Sequence, residues 1–254
     1  KQNERAEALI NRFDRIEDPR RRVRVQALTA GLVSLAVTAR PVLAQGVFGS
    51  RPGKLPSGQS IYRIFGSASV NGAAANLQTP VRPGDTVETG PDSEMIFVVG
   101  GHSMVLRSDS RLVIEGAGKE AVSRLISVLR LVTGKLLSVS RKSRIRVVTA
   151  TATIGIRGTG WYAESDPEQT YFCTCYGTAD IAASADPQSR ETVVAKHHDR
   201  PLYILGRSAP GSGIRSAPFI NHTDQELALI EALVGRAPPF VFPKDGYTAP
   251  RRGY

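Results

Sequence analysis

The sequence predicts a mainly β protein, either a β-sandwich or a β-solenoid-like stack, with a C-terminal β extension and one α-helix. Turn residues such as Asn-Gly and Pro-Gly-Asp recur along the chain at roughly ten-residue spacing, which is typical of all-β folds. Between them, segments such as 144–149 alternate charged and apolar residues, the pattern of a half-buried strand. Aromatic residues make up only 6% of the chain, so the core must depend on Val, Ile, Leu and Ala.

The positions of the turns predict the individual strands. Asn71-Gly72 is a strong hairpin signal, because both residues tolerate the positive φ of a type I′ turn. A second pair, 124–132 and 135–140, is predicted to fold back at Thr133-Gly134. The other strands are predicted at 61–65, 86–89, 95–99, 103–107, 111–115, 144–149, 152–156, 160–164, 170–175, 178–181, 192–196 and 202–205.

One helix is predicted at 224–235. Thr223 is a candidate N-cap, and Glu226 stands at the spacing of a capping box. A glycine at position 235 ends the pattern. The apolar positions three to four residues apart form one face of this helix: Leu227, Ile230, Leu233 and Val234. The remainder, 237–254, is proline-rich and predicts an extended tail.

Residues 1–44 read as an N-terminal extension of about 19 residues followed by a segment typical of an export signal. A basic patch at 20–24 precedes 27–39, an uncharged apolar run too short to span a bilayer as a helix. Small residues before Gln45 suit cleavage there. We therefore expect a periplasmic or otherwise exported protein, although an uncleaved signal could anchor the chain to the inner membrane. Residues 45–60 are rich in Gly, Pro and Ser and predict a linker.

Four segments together resemble the FecR domain family. They are 81–93 (VRPGDTVETGPDS), 108–112 (SDSRL), 129–136 (LRLVTGKL) and, most specifically, 147–160 (VVTATATIGIRGTG). The resemblance implies a periplasmic β-rich domain at 61–165, followed by a C-terminal extension at 166–236. In classical FecR proteins this domain relays a transporter signal to a cytoplasmic sigma factor. Since this chain has no recognisable anti-sigma region, the resemblance implies a stand-alone exported FecR-domain protein.

The glycine-rich motif at 155–160 has a structural interpretation and a functional one. Gly155, Gly158 and Gly160 permit a left-handed or tightly packed backbone. Arg157 can bind neighbouring carbonyl groups through its guanidinium fork. We interpret the motif, with Thr159, as a corner that lets one strand layer pack on the next. A ligand site is the alternative, but no Gly-Lys-Ser/Thr follows, so this is not a phosphate loop.

The cysteines and three of the histidines are the candidates for chemistry: Cys173, Cys175, His197, His198 and His222. Thiolates and imidazoles suit zinc, iron or copper. Residues two apart on a strand share a face, which disfavours a disulfide between the cysteines. Adjacent histidines in a strand point to opposite faces, so at most one of 197 and 198 should join a site. The alternative is a reduced or strained cysteine pair with exposed or capping histidines.

The function classes can be narrowed further. The net charge is +10, but the best basic run, 141–146, has no aromatic residues for stacking, so we expect no nucleic-acid partner. No catalytic motif is recognisable, and we expect no enzyme activity. The leading hypothesis is a protein of the cell envelope that acts in binding, signalling or scaffolding, with a protein or envelope glycan as partner. The alternative hypothesis is a metal-binding or redox protein that uses the cysteines and histidines.

Overall fold

The computed structural model describes residues 52–116, 125–140 and 144–240. The export signal and the first part of the predicted linker lie outside the described residues, as does most of the proline-rich tail. One α-helix, α1 (Asp224–Leu233), follows the strands in the described ranges. The strands are β1 (Ile61–Phe65), β2 (Ala68–Val70), β3 (Ala73–Ala74), β4 (Thr86–Thr89), β5 (Glu94–Val99), β6 (His102–Leu106), β7 (Arg111–Gly116), β8 (Ile126–Ser140), β9 (Arg144–Val148), β10 (Ala152–Ser165), β11 (Gln169–Ala183), β12 (Arg190–Ala195), β13 (Leu202–Leu205) and β14 (Ile214–Ser216).

Three long bent strands, β8, β10 and β11, each belong to two layers of one continuous sheet. Their halves change neighbours along the strand, so that each layer has its own order. The first layer is β12-β11-β10-β9-β8-β7-β4-β2-β3, and the second is β14-β13-β11-β10-β8-β6-β5-β1. The described pairs are antiparallel except β8 with β9. For the residues that the structure describes, the prediction of a mainly β fold with one helix is confirmed.

The main hydrophobic core lies between the two layers. Leu129 and Ile154 contribute from the first layer, and Phe97 and Trp161 from the second. Trp161 stacks on Phe172 with ring centroids 5.9 Å apart. Two layers over a shared core correspond to the sandwich form of the prediction, and the aliphatic composition fills this core as expected.

The predicted hairpin at Thr133-Gly134 is wrong. β8 continues through both residues without reversing direction. Along one edge it pairs first with β7 and then, after the glycine, with β6. Gly134 has φ 89°, and a Cβ there would lie 2.5 Å from the Cα of Ser110. The glycine therefore allows a bend and a close approach inside one strand, which its sequence signal does not distinguish from a turn.

The glycine-rich motif lies where β10 changes neighbours. Residues up to Arg157 pair with β9, and residues from Gly160 pair with β8, with an irregular register between them. Gly158 has φ 63°, and a Cβ on Gly160 would lie 2.4 Å from the ring of Tyr176. Arg157 contacts the Asp180 carboxylate at 2.9 Å. The motif thus bends the strand from one layer into the other, and its arginine forms an exposed cross-strand ion pair.

Residues on both sides of position 165 build the same core. The turn between β10 and β11 follows Ser165 directly, and the two strands pair along their whole length. Phe172, Ile181 and Leu202 from the C-terminal extension pack in the main core. The extension therefore completes the sandwich that begins at β1.

Helix α1 covers the outer face of the second layer. Leu227, Ile230 and Leu233 pack there in a second hydrophobic cluster with residues of β6, β8, β10 and β11. The predicted capping box between Thr223 and Glu226 is present. The backbone N–H of Leu55 donates to the Leu233 carbonyl at 2.9 Å, so part of the predicted linker is attached to the end of the helix. Within the described ranges, no helix has the length and apolar character that crossing a bilayer requires.

Candidate metal centre

Cys173 and Cys175 lie in β11 and point to the outer face of the second layer, beneath α1. Phe172 lies in the core between the layers, while both cysteines belong to the second cluster, as strand alternation requires. Both are free thiols with no exposed surface. The prediction that they share one face, which disfavours a disulfide between them, agrees with this placement.

His198 lies in a turn after β12 and points toward the cysteines. β12 ends at Ala195, and Asp199 accepts hydrogen bonds from the backbone N–H groups of residues 196 and 197. His198 has φ 53°, and its backbone N–H donates to the Cys175 carbonyl at 2.9 Å. The expectation that His197 and His198 point to opposite strand faces is wrong, because this turn breaks the alternation. Both imidazoles contact Asp224 instead.

His222 comes from the segment that leads into α1, and it has no exposed surface. Its Nδ1 lies 2.7 Å from the Ile220 carbonyl oxygen. Its ring stacks on Tyr162 at 4.6 Å and meets Phe219 edge-on at 4.5 Å. These contacts hold the ring so that Nε2 faces the two cysteines.

The four side chains Cys173, Cys175, His198 and His222 converge on one point, and we call them the inner site. Their ligand atoms all lie within 4.8 Å of one another. Cys173 Sγ is 3.5 Å from His198 Nδ1, Cys175 Sγ is 3.4 Å from His222 Nε2, and the two nitrogens are 3.2 Å apart. Tetrahedral zinc with ordinary bond lengths requires about 3.5 Å between sulfur and nitrogen and about 3.3 Å between nitrogens. These three separations match this geometry.

The hydrogen bonds of His222 Nδ1 and His198 Nε2, which face away from the inner site, determine where each neutral ring carries its proton. The Ile220 carbonyl can only accept, so the neutral His222 ring carries its proton on Nδ1. Asp224 accepts from His198 Nε2 at 3.0 Å. In neutral rings, two lone pairs then face each other at 3.2 Å, and either a proton on one of these nitrogens or a cation between them relieves the repulsion. Second partners of this kind are usual for metal-bound histidines.

The two thiols have opposite pKa shifts. Burial alone raises the pKa of Cys173, but hydrogen bonds with Cys175, His198 and His222 outweigh it and hold the pKa well below its usual value. Burial and the adjacent Cys173 raise the pKa of Cys175 well above its usual value. The thiolate is therefore favoured at Cys173 and the thiol at Cys175, and a bound divalent cation would favour the thiolate at both.

Asp224 and His197 form a second group around the same histidine. Asp224 has no exposed surface, and its two carboxylate oxygens lie 2.9 and 3.0 Å from His197 Nε2. His197 lies outside the inner site, with 34% of its side chain exposed. The sequence interpretation treated Asp224 only as the start of the helix and missed its role. Its spacing two residues after His222 was the signal that could have found it.

The comparisons with known proteins find distant structural similarity. No protein-family model matches the chain, and no curated protein matches it. Among solved structures, it resembles two crystal structures, at 1.65 and 2.50 Å, of a proposed anti-sigma factor from Parabacteroides distasonis ATCC 8503. The TM-scores are 0.40 and 0.41 and the identities 10% and 11%, over 52% and 56% of this chain. The match covers 58% of the chain in the 1.65 Å structure and 70% of the chain in the 2.50 Å structure. Similarity at this level identifies neither a family nor a function, so the FecR resemblance stays a prediction.

Proposed function

We propose that this chain is an exported, non-catalytic binding module of the cell envelope whose fold is held together by one Zn²⁺ ion in the inner site. The convergence of Cys173, Cys175, His198 and His222 at tetrahedral separations supports this proposal more than any other feature. The proposal combines the binding hypothesis and the metal-binding hypothesis from the sequence. The metal ion would stabilise the module, and the surface of the sandwich would bind a protein or glycan partner.

The ligand set favours zinc over iron and copper. Two thiolates and two imidazoles in a tetrahedron are the common donor set of structural zinc sites. With two thiolates, the Zn²⁺ complex carries no net charge, which suits a site with no exposed thiol. Copper(I) or iron(II) in the same ligands are the competing outcomes of a metal analysis.

A closed site of this kind supports the fold and leaves no position for a substrate. Catalytic zinc keeps one position for water, whereas here four protein ligands complete the tetrahedron. Thiol exchange with a partner needs an accessible thiolate, and Cys173 and Cys175 are fully buried. These observations support a structural role for the metal over hydrolytic or redox chemistry.

Zinc in the inner site would connect three separate parts of the chain. The two cysteines belong to β11, His198 follows β12, and His222 precedes α1. A metal ion there would attach α1 to the sheet that it covers. The surface presented to a partner would then depend on metal loading, since α1 forms part of that surface.

Metal analysis of the full chain tests the proposal. The protein is produced without a His tag, because a tag would bind metal itself, and zinc, iron and copper are measured per chain. We expect one zinc ion, and none in the Cys173→Ser/Cys175→Ser double variant. Cobalt(II) substitution should give the intense visible bands of tetrahedral coordination and a sulfur-to-cobalt charge-transfer band.

His102→Ala is the matched histidine control, because His102 contacts Ser140 and belongs to neither metal-ligand group. This variant should keep the zinc ion. Wild-type protein that binds no metal after reconstitution under reducing conditions would refute the proposal.

A further inference from the structure

His198 belongs to two groups of ligands at once. Its Nδ1 faces Cys173 and His222 in the inner site. Its Nε2 faces Asp224, and the ligand atoms of His197, His198 and Asp224 also lie within 4.8 Å of one another. We call this second group the outer cluster. A single imidazole ring therefore separates two places where a cation can be held.

Exposure to solvent decreases from the outer cluster to the inner site. The His197 side chain is 34% exposed, that of His198 is 5% exposed, and Asp224 is fully buried. In the inner site, Cys173, Cys175 and His222 have no exposed surface. Of the ligand residues in the two groups, His197 is thus the one that an ion in water can reach first.

We propose that the outer cluster captures a Zn²⁺ ion from solution and passes it across the His198 ring to the inner site. This inference rests on the proposed zinc function. The outer cluster would bind only weakly and transiently, since it offers two imidazoles and one carboxylate, and a partly exposed position leaves water on the metal. The inner site binds more tightly because it supplies two thiolates and a closed tetrahedron.

The transfer balances as a ligand exchange. The hydrated ion loses water and binds His197 Nε2, His198 Nε2 and an Asp224 oxygen, while the ring protons of His197 and His198 are on Nδ1. The ion then leaves these three atoms and binds His198 Nδ1, His222 Nε2 and the two sulfurs. His198 loses the proton on Nδ1 to water and takes up a proton on Nε2, and this N–H then donates to Asp224. Any proton that a cysteine sulfur still carries passes to water as the sulfur binds the ion, and no electrons move.

The effect of losing His197 on the rates of zinc loading and release distinguishes a role in capture from a role in stabilising the loaded site. A supporting residue stabilises the loaded state, so its loss accelerates zinc release. A residue on the transfer route lowers the barrier in both directions, so its loss slows loading and release by the same factor and leaves Kd unchanged. The ratio of the two rates therefore separates the two roles.

Stopped-flow loading of the metal-free full chain with zinc chloride, and release into excess chelator, test the inference. We expect His197→Ala to slow both rates about tenfold, which is about 1.4 kcal/mol of barrier at unchanged affinity. His197→Gln is the matched variant, because its amide can still donate to Asp224 but is a poor zinc ligand. It should slow both rates as His197→Ala does.

Three outcomes would overturn the inference. His197 variants could load at the wild-type rate, His197→Gln could restore the rate that His197→Ala loses, or the wild-type chain could hold two zinc ions at equilibrium. Each of these results leaves one zinc-binding inner site intact, so it is distinguishable from failure of the proposed function, in which the wild-type chain binds no zinc.

Discussion

Removal of zinc is the perturbation whose effect on stability follows most directly from the structure. The ligands of the inner site come from β11, from the turn after β12 and from the segment before α1. In the unfolded chain only Cys173 and Cys175 stay close together, so the complete site exists only in the folded protein. With zinc bound in the inner site as proposed, the free energy of unfolding should rise with free zinc.

The size of the zinc-dependent stabilisation follows from the binding of one ion per folded chain. Stabilisation equals RT ln(1 + [Zn²⁺]/Kd), which is about 2.7 kcal/mol at a hundredfold excess over Kd. Above Kd, each further tenfold rise in free zinc adds about 1.4 kcal/mol, because a single site is occupied. Two ions per chain would double that slope.

Urea unfolding in zinc buffers measures this slope. Trp161, the single tryptophan, is buried between the layers and reports loss of the core by fluorescence, while circular dichroism reports the strands. The Cys173→Ser/Cys175→Ser variant should show no dependence on zinc. If the wild-type free energy of unfolding also stays constant over several decades of free zinc, the assignment of the inner site is wrong.

Three further perturbations test the packing and the electrostatics. Gly160→Ala should destabilise the fold by about 1–3 kcal/mol, because its Cβ would lie 2.4 Å from the buried ring of Tyr176. Arg107→Met should cost about 3 kcal/mol, because it leaves the Glu226 carboxylate without its buried guanidinium partner at 2.9 Å. Burial and the charge of Arg236 lower the pKa of His102 from 6.5 to about 4, so the unfolded state binds protons more readily and acid weakens the fold. Between pH 7 and pH 5 this should remove about 2 kcal/mol from the free energy of unfolding in zinc-free buffer.

Each of these perturbations has a matched control. Gly101→Ala adds a methyl group with no atom within 4 Å and should change stability little. Arg63→Met removes an ion pair whose arginine is 55% exposed and should change the free energy of unfolding by less than about 1 kcal/mol. His102→Gln should flatten the acid dependence. Equal effects in a variant and its control, or an unchanged pH profile, would contradict the corresponding argument.

The accuracy of the sequence predictions depended on the range of the interactions that decide each feature. The capping box between Thr223 and Glu226 was predictable because both partners lie within one helical turn. The shared face of Cys173 and Cys175 was predictable because strand periodicity is local. The hairpin at Gly134 was wrong because the same glycine signal serves a turn and a bend, and contact with Ser110, just before β7, decides between them.

The candidate site shows the same division. Its cysteines and histidines were identified from residue chemistry, but the rule that neighbouring strand residues point to opposite faces was applied to His197 and His198, which follow β12. Hydrogen bonds of Asp199 to the backbone form a turn there and direct both rings toward Asp224. No local pattern links Asp224 with residues 26 and 27 positions earlier in the chain.

By itself, the sequence determined the β class, the helix with its cap, and the cysteines and histidines that are candidate metal ligands, because composition and short-range periodicity encode these features. Only the tertiary structure decided that β8, β10 and β11 bend between two layers and that four ligands from three elements meet beneath α1. Those outcomes depend on contacts between residues far apart in the chain. Such contacts arise from packing of the whole core, and a pattern within one segment does not record them.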